Sequence, residues 1–337
     1  MHMADALLSP AVGGVMYAVS AGAVALSVKK INDEQLGEKK LPLMAVSGAF
    51  VFAAQMINFS IPGTGSSGHI GGGMLLAGLL GGPPALLTIA AVLVVQCLFF
   101  ADGGLLALGA NIFNMGVIPC LLIWPLVFRP LLRRGLTTPR LWLASILSSV
   151  LSLQLGAFCV VLQTLLSGVT ELPFGAFVAL MQPIHLAIGA VEGIVTAAVL
   201  TYVYKTRPEL ADSTLTGRAM QSAASLKTTV TVLAVVAAIV AGGLSLLASG
   251  DPDGLEWSME RTAGTAELER SDEVHSAAAS AQERIAVLPD YDFADGSGTG
   301  TTVSGLVGAA LTTVLAGAAG LAITAVKRRK KAEAVNK

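Results

Sequence analysis

The sequence predicts an all-α integral membrane protein, a polytopic helical bundle of about nine membrane segments, with the N-terminus outside and the C-terminus cytoplasmic. Three observations predict it. The 337 residues are 54% hydrophobic and only 13% charged, with a mean hydropathy of +0.72, whereas soluble domains carry about 25% charged residues. Apolar runs able to cross ~30 Å of hydrocarbon, which takes roughly 20 residues each, recur along the chain. The Lys and Arg residues are sorted between alternate connections, although the net charge is only −1.

In chain order the candidate segments are 6–28, 41–59, a shorter Gly-rich piece at 70–82, then 85–100, 105–128, 141–166, 173–204, 228–248 and 303–326. Pro83 and Pro84 separate the Gly-rich piece from its successor, because proline stops a helix at the preceding residue. The two pieces it divides are thin for full spans, so tilted or partly re-entrant segments are expected there. With nine segments and an external N-terminus, eighteen of the 21 Lys and Arg residues fall on the cytoplasmic side. These are Lys29, Lys30, Lys39 and Lys40, Arg129, Arg133, Arg134 and Arg140, then Lys205, Arg207, Arg218 and Lys227, and finally the tail from Lys327 to Lys331 with Lys337. Only Arg261, Arg270 and Arg284 remain, in the connection 249–302. Eight segments scramble this pattern, so nine is the better count. A cleaved signal peptide over 1–28 is disfavoured, since it calls for a basic start and none of the residues before Lys29 is Lys or Arg.

The same reading divides the chain into a transmembrane core at 1–204, a hydrophilic cytoplasmic linker at 205–227, a two-helix hairpin at 228–326, and a basic cytoplasmic tail at 327–337. The hairpin encloses an external loop with twelve acidic residues against three basic ones. That composition suits a solvated segment, with weak cation attraction at the outer face as the functional alternative. Cys97, Cys120 and Cys159 sit in apolar runs and read as small buried hydrophobes.

The chain begins Met1-His2. A bulky second residue disfavours removal of Met1, leaving a free α-amine. That amine and the His2 amide nitrogen close a five-membered chelate ring, and the amide nitrogen with His2 Nδ1 closes a six-membered one. Fused rings hold three nitrogens in a plane, an arrangement that suits Ni(II) or Cu(II) and leaves one corner open. His69 is the candidate for that corner. It lies in a Gly-rich connection on the same predicted side as the N-terminus, within Gly63-Thr64-Gly65-Ser66-Ser67-Gly68-His69, where glycine permits close approach. His185 and Glu192 stand seven apart on one helix face, inside a span. They read either as an ion path or support for the site, or as a structural polar contact. Asn58, Asn111 and Asn114 are further intramembrane polar groups, read first as interhelical hydrogen bonds. The chain has no G-x-x-x-x-G-K-[ST] phosphate cradle and no H-E-x-x-H pair. It is therefore expected to be no enzyme, and any ATP-driven work falls to partners.

At these residues the sequence resembles the CbiM/NikM family, the substrate-binding components of energy-coupling-factor importers for cobalt and nickel. The likeness runs through Met1-His2 with Asp5, Leu7-Leu8-Ser9-Pro10, Ser66 to His69, Asp102 to Met115, and His185 with Glu192-Gly193. Pro252-Asp253-Gly254-Leu255-Glu256 and Leu288-Pro289-Asp290-Tyr291 resemble a fused NikN-type (PDGLE) hairpin. The resemblance implies that the Met1 amine, the His2 amide and ring, and the His69 ring bind the ion. It also implies partners: a transmembrane coupling protein and two cytoplasmic ABC ATPases, in a cell membrane, with no resident cofactor and no nucleic acid. Ni2+ is favoured over Co2+ as the transported ion, since a planar nitrogen set favours Ni(II). A self-sufficient secondary carrier or channel, using His185 and Glu192 as a relay, is the alternative. The start departs from the family at Met3-Ala4-Asp5-Ala6, which leaves the chelating pair intact.

Overall fold

A computed structural model describes residues 2–33, 40–217, 227–293 and 299–335. The expected ligand Met1, and Lys39, Arg218 and Lys337 of the charge pattern, lie outside the described residues. Among the described residues, six helices are long and apolar enough to cross a membrane. They are α1 (Pro10–Asp33), α4 (Gly82–Phe100), α5 (Leu108–Arg133), α6 (Thr138–Leu166), α7 (Phe174–Thr206) and α12 (Thr299–Val335). Two shorter apolar helices accompany them, α2 (Lys40–Gln55) and α9 (Lys227–Gly242). The Gly-rich piece becomes α3 (Gly73–Leu80), buried along its whole length. Every predicted apolar segment thus has a helix.

The expectation of an all-helical chain needs one correction. Residues after α2 form an antiparallel hairpin of β1 (Phe59–Ile61) and β2 (Ser66–Gly68), paired Phe59 to Gly68 and Ile61 to Ser66. Gly63 and Gly65, at φ 78 and 71, supply the turn. The separation of α3 from α4 also lies one step earlier than the prolines suggest. Gly81 makes the break at φ 86 and ψ 160, and Pro83 and Pro84 sit in the first turn of α4, where no helical N–H is required. In α5, Pro119 and Pro125 are accommodated by π-helical winding from Phe113 to Phe128.

Small residues bring the helices close. On α7, a Cβ at Gly189 would meet Val150 Cα at 2.9 Å and one at Gly193 would meet Ile146 Cα at 2.5 Å, so α6 and α7 pack backbone to backbone. Helix α12 packs on α2, α4 and α9, which ties the C-terminal hairpin to the core. Two polar segments hold more structure than a linker and a solvated loop. Residues Pro208–Thr216 form α8, with Leu210, Ala211 and Leu215 buried. The acidic connection holds α10 (Gly254–Ala263) and α11 (Glu273–Ile285), both capped by aspartates, and both reach the end of the bundle where His2 lies.

Candidate metal centre

The segment before α1 is threaded into the bundle rather than frayed. Met3, Leu7 and Leu8 are fully buried. Asn111 accepts the Met3 N–H at 2.8 Å and donates to the Met3 carbonyl at 3.2 Å, while the Gly104 N–H reaches the same carbonyl at 2.9 Å. A short 3-10 turn, Asp5–Leu7, follows, with Asp5 Oδ1 accepting from the Ala107 N–H at 2.9 Å. Backbone groups that water would otherwise satisfy are paired inside the protein, as burial requires. His2 is thereby carried to the ends of α2 and α4.

His69 arrives from the hairpin, and the structure brings the two imidazoles together. Their rings stack with centroids 5.2 Å apart and planes inclined by 23°. His69 Nδ1 faces the Ile70 carbonyl at 3.0 Å, which can only accept, so this nitrogen carries the proton. Nε2 is left with its lone pair, 4.0 Å from Asp253 Oδ2. Burial pushes the His69 imidazole down to about 4, and burial also holds His2 below its ordinary value against the pull of Asp102. Neutral rings are what a metal requires as ligands. His2 Nδ1 lies 3.2 Å from Asp102 Oδ1, and Nε2 lies 3.2 Å from Gln96 Oε1. Both partners are acceptors, and a neutral imidazole donates only once. The surroundings are therefore short of positive charge.

Around the rings runs a continuous polar chain. Tyr291 O–H donates to Asp102 at 2.5 Å, Gln96 donates to Gln55 at 3.0 Å, and Gln55 donates to the Gly71 carbonyl at 2.8 Å. Glu192 accepts the Gly71 and Gly72 N–H groups at 2.6 and 3.2 Å. It thus fixes the turn just past His69, where Gly72 takes φ 75 against Val51. A pocket of about 560 Å³ opens onto His2, His69, Asp102, Asp253 and Asn58.

The remaining predicted residues divide. Asn111 positions the His2 segment, whereas Asn114 pairs with Gln163 at 2.9 and 3.0 Å and touches Met3 Sδ at 3.7 Å. Asn58 lines the pocket and gives its carbonyl to the Ser249 N–H. His185 is buried beside the site, lining a narrow gap with His69, Gly71 and Asp253, and its Nδ1 donates to the Met181 carbonyl at 2.8 Å. It is not hydrogen-bonded to Glu192 among the described residues.

Gln55, Gln96, Asp102 and Asp253 are the residues that sequence reasoning did not assign to the site. Gln55 and Gln96 are buried amides within apolar helices, and the rule that flagged the asparagines applies to them equally. Asp253 belongs to a segment that grips the hairpin. Ser67 N–H donates to the Pro252 carbonyl at 2.8 Å, Ser67 Oγ to that of Asp251 at 2.7 Å, and Trp257 Nε1 to that of Thr64 at 3.0 Å. Among the described residues no three His, Cys, Asp or Glu side chains are grouped to hold a metal.

The bundle is that of a multi-pass membrane protein, and its likeness to known proteins sets it in the metal-transport class. The chain belongs to the CbiM family, described as the cobalt uptake substrate-specific transmembrane region, whose profile matches residues 2–210, and a PDGLE domain follows over 227–325. It is 31% identical over 329 residues to the provisionally named fused nickel transport protein NikMN of Archaeoglobus fulgidus, covering 97% of this chain and 99% of that one. It is 36% identical over 216 residues to a provisionally named metal transport protein of Haloquadratum walsbyi, covering 62% of this chain and 93% of the relative. A crystal structure of a transition metal transporter superposes with a TM-score of 0.54 at 29% identity, over 62% of this chain and 94% of that one.

Proposed function

We propose that this chain is the ion-capture subunit of an energy-coupling-factor importer, and that it takes Ni2+ in preference to Co2+. The observation that carries this reading is the stacked pair of buried imidazoles within a shell of acceptors. Two rings make half of a four-coordinate set. The Met1 amine and the His2 amide nitrogen are the donors that complete it, in fused five- and six-membered rings. His69 offers Nε2, and Asp102, Gln96 and Asp253 supply negative charge and lone pairs around the ion. The preference for nickel rests on that nitrogen set and on the name of the relative that matches nearly end to end.

The division of labour follows. Residues 1–204 capture the ion, 205–227 connect, and 228–326 cover the site through Asp253 and α11. The chain crosses the membrane nine times with its N-terminus outside. Lys29, Lys30 and Lys40 stand at the helix ends opposite His2, in keeping with that orientation. It carries no phosphate cradle of its own, so a transmembrane coupling protein and two ABC ATPases drive release. The carrier alternative draws less support, because Glu192 already accepts from Gly71 and Gly72 and is not joined to His185 among the described residues.

The test is metal analysis of the purified full chain with an untagged N-terminus. One equivalent of Ni2+ is expected, and it should be lost when a single Ala is inserted between Met1 and His2. That insertion keeps every side chain and alters the ring sizes; nickel retained in full by the insertion variant refutes the chelate.

A further inference from the structure

The helices that frame the metal centre frame a second cavity at their other ends. The centre uses Gln55 and Gln96, near the close of α2 and α4; the second cavity uses Lys40 and Gly82, at their starts. It measures about 550 Å³, a size typical of small-molecule sites. Lys29 and Lys30 of α1, Lys40 of α2 and Arg129 of α5 all line it, and none of the described residues on its wall is acidic. Arg129 is steadied at the rim, with Cζ 5.4 Å from the Trp124 ring and Nε donating to the Leu215 carbonyl at 2.6 Å. Lys40 is only partly exposed, and among the described residues it has no ion-pair or hydrogen-bond partner. Two donors on the wall, Trp124 Nε1 and Ser27 Oγ, are buried and unmatched among the described residues. A half-buried ammonium that no described residue neutralises gains from an anion that joins it.

The cavity wall continues onto apolar surface. Leu26 lines it and is 65% exposed, and Leu122 and Leu126 follow the lining residues Leu121 and Pro125 with 42% and 66% exposure. We propose that this cavity is a binding site for an anionic phospholipid, with the phosphate among Lys29, Lys30, Lys40 and Arg129 and the acyl chains along Leu26, Leu122 and Leu126. Basic pockets between helices at the cytoplasmic face are the usual setting for such headgroups, because anionic lipids concentrate in that leaflet. A free phosphate shares the headgroup's charge but gains nothing from the leucine face. The site does not depend on how the ion is held at the other end.

Native mass spectrometry of the full chain tests this, using phosphatidylglycerol and phosphatidylcholine of matched acyl chains. Phosphatidylglycerol should be retained roughly tenfold more tightly than phosphatidylcholine. Lys40→Gln should remove that preference, Lys40→Arg should restore it, and Arg133→Gln, outside the cavity, should leave it intact. Size-exclusion elution and thermal unfolding of each variant check that it has folded; if Lys40→Gln fails there, Lys30→Gln at the more exposed rim reads the same loss. Equal retention of the two lipids, or an undiminished preference in folded Lys40→Gln or Lys30→Gln, overturns the proposal. So does displacement of the lipid by millimolar inorganic phosphate, which assigns the cavity to a free anion.

Discussion

The segment carrying His2 and the hairpin carrying His69 reach the same place by different supports. The first is held almost wholly by the CbiM region: Asn111 and Gly104 pair both backbone groups of Met3, and the Ala107 N–H caps Asp5. Among the described residues it meets the C-terminal unit through His275 of α11, whose Nε2 faces the Leu8 and Asp5 carbonyls at 2.9 and 3.1 Å. The hairpin, in contrast, leans on Asp251, Pro252 and Trp257, with Glu192 behind it. The difference teaches that the two imidazoles report on different parts of the chain. The His2 side senses the core, and the His69 side senses the seam between core and PDGLE domain.

The largest effects should come from the rings themselves. His2→Ala removes one chelate ring and should drop Ni2+ binding to background by equilibrium dialysis. His69→Ala should weaken it at least roughly tenfold while leaving insertion into the membrane unchanged. Equal affinity in His69→Ala and the parent would dismiss His69 as a ligand.

Glu192→Gln comes next. The amide keeps one acceptor but loses the other, so the Gly71-Gly72 turn is loosened at a cost of about 1–3 kcal/mol. Nickel affinity should fall about 10–100-fold, as is usual when a group supporting a ligand is lost, and cleavage of the Gly63–Ser66 turn by a broad-specificity protease should quicken. An Asn111→Ala variant should leave that cleavage rate alone, which separates the two supports.

A smaller, pH-dependent effect belongs to His275. Asp272 at 2.6 Å and two carbonyls face its two nitrogens, so all its partners accept. Burial opposes the charge, yet these acceptors hold its pKa above the ordinary value. Its contribution to stability is therefore complete below pH ~6.5 and fades as the pH climbs through the raised value. The His275→Gln variant should unfold at a temperature less sensitive to alkaline pH than the parent; identical pH profiles would count against a stabilising role for this imidazole.

The smallest is Trp257→Phe, which deletes one hydrogen bond to Thr64 and should cost about 1 kcal/mol. Nickel affinity should change by less than tenfold, and by more in this variant than in Arg261→Ala, which spares that hydrogen bond.

Much of this was legible from residue patterns. The six long apolar helices among the described residues follow from hydropathy because lipid demands internally paired backbone. His2 and His69 could be paired because position two and a Gly-rich turn each have a chemical meaning. What escaped has a common cause. Gln55 and Gln96 act through each other across two helices, and no local pattern reveals which buried amide faces which. The acidic connection was read as solvated because its charges dominate its composition, yet its capped helices lay specific groups on the core: Asp253, His275 and Gln282, the last donating to the Cys97 and Gly103 carbonyls. A strand pair of three residues each is likewise too short to leave an alternating signature.

The contact between His275 and the Leu8 carbonyl joins positions 267 apart in the chain. A ribosome finishes the first of them long before it begins the second, so the opening residues must wait beside the emerging bundle for their cover. During that interval the end of the bundle where His2 lies lacks the cover that α11 later supplies through His275. Assembly order is thereby built into who touches whom.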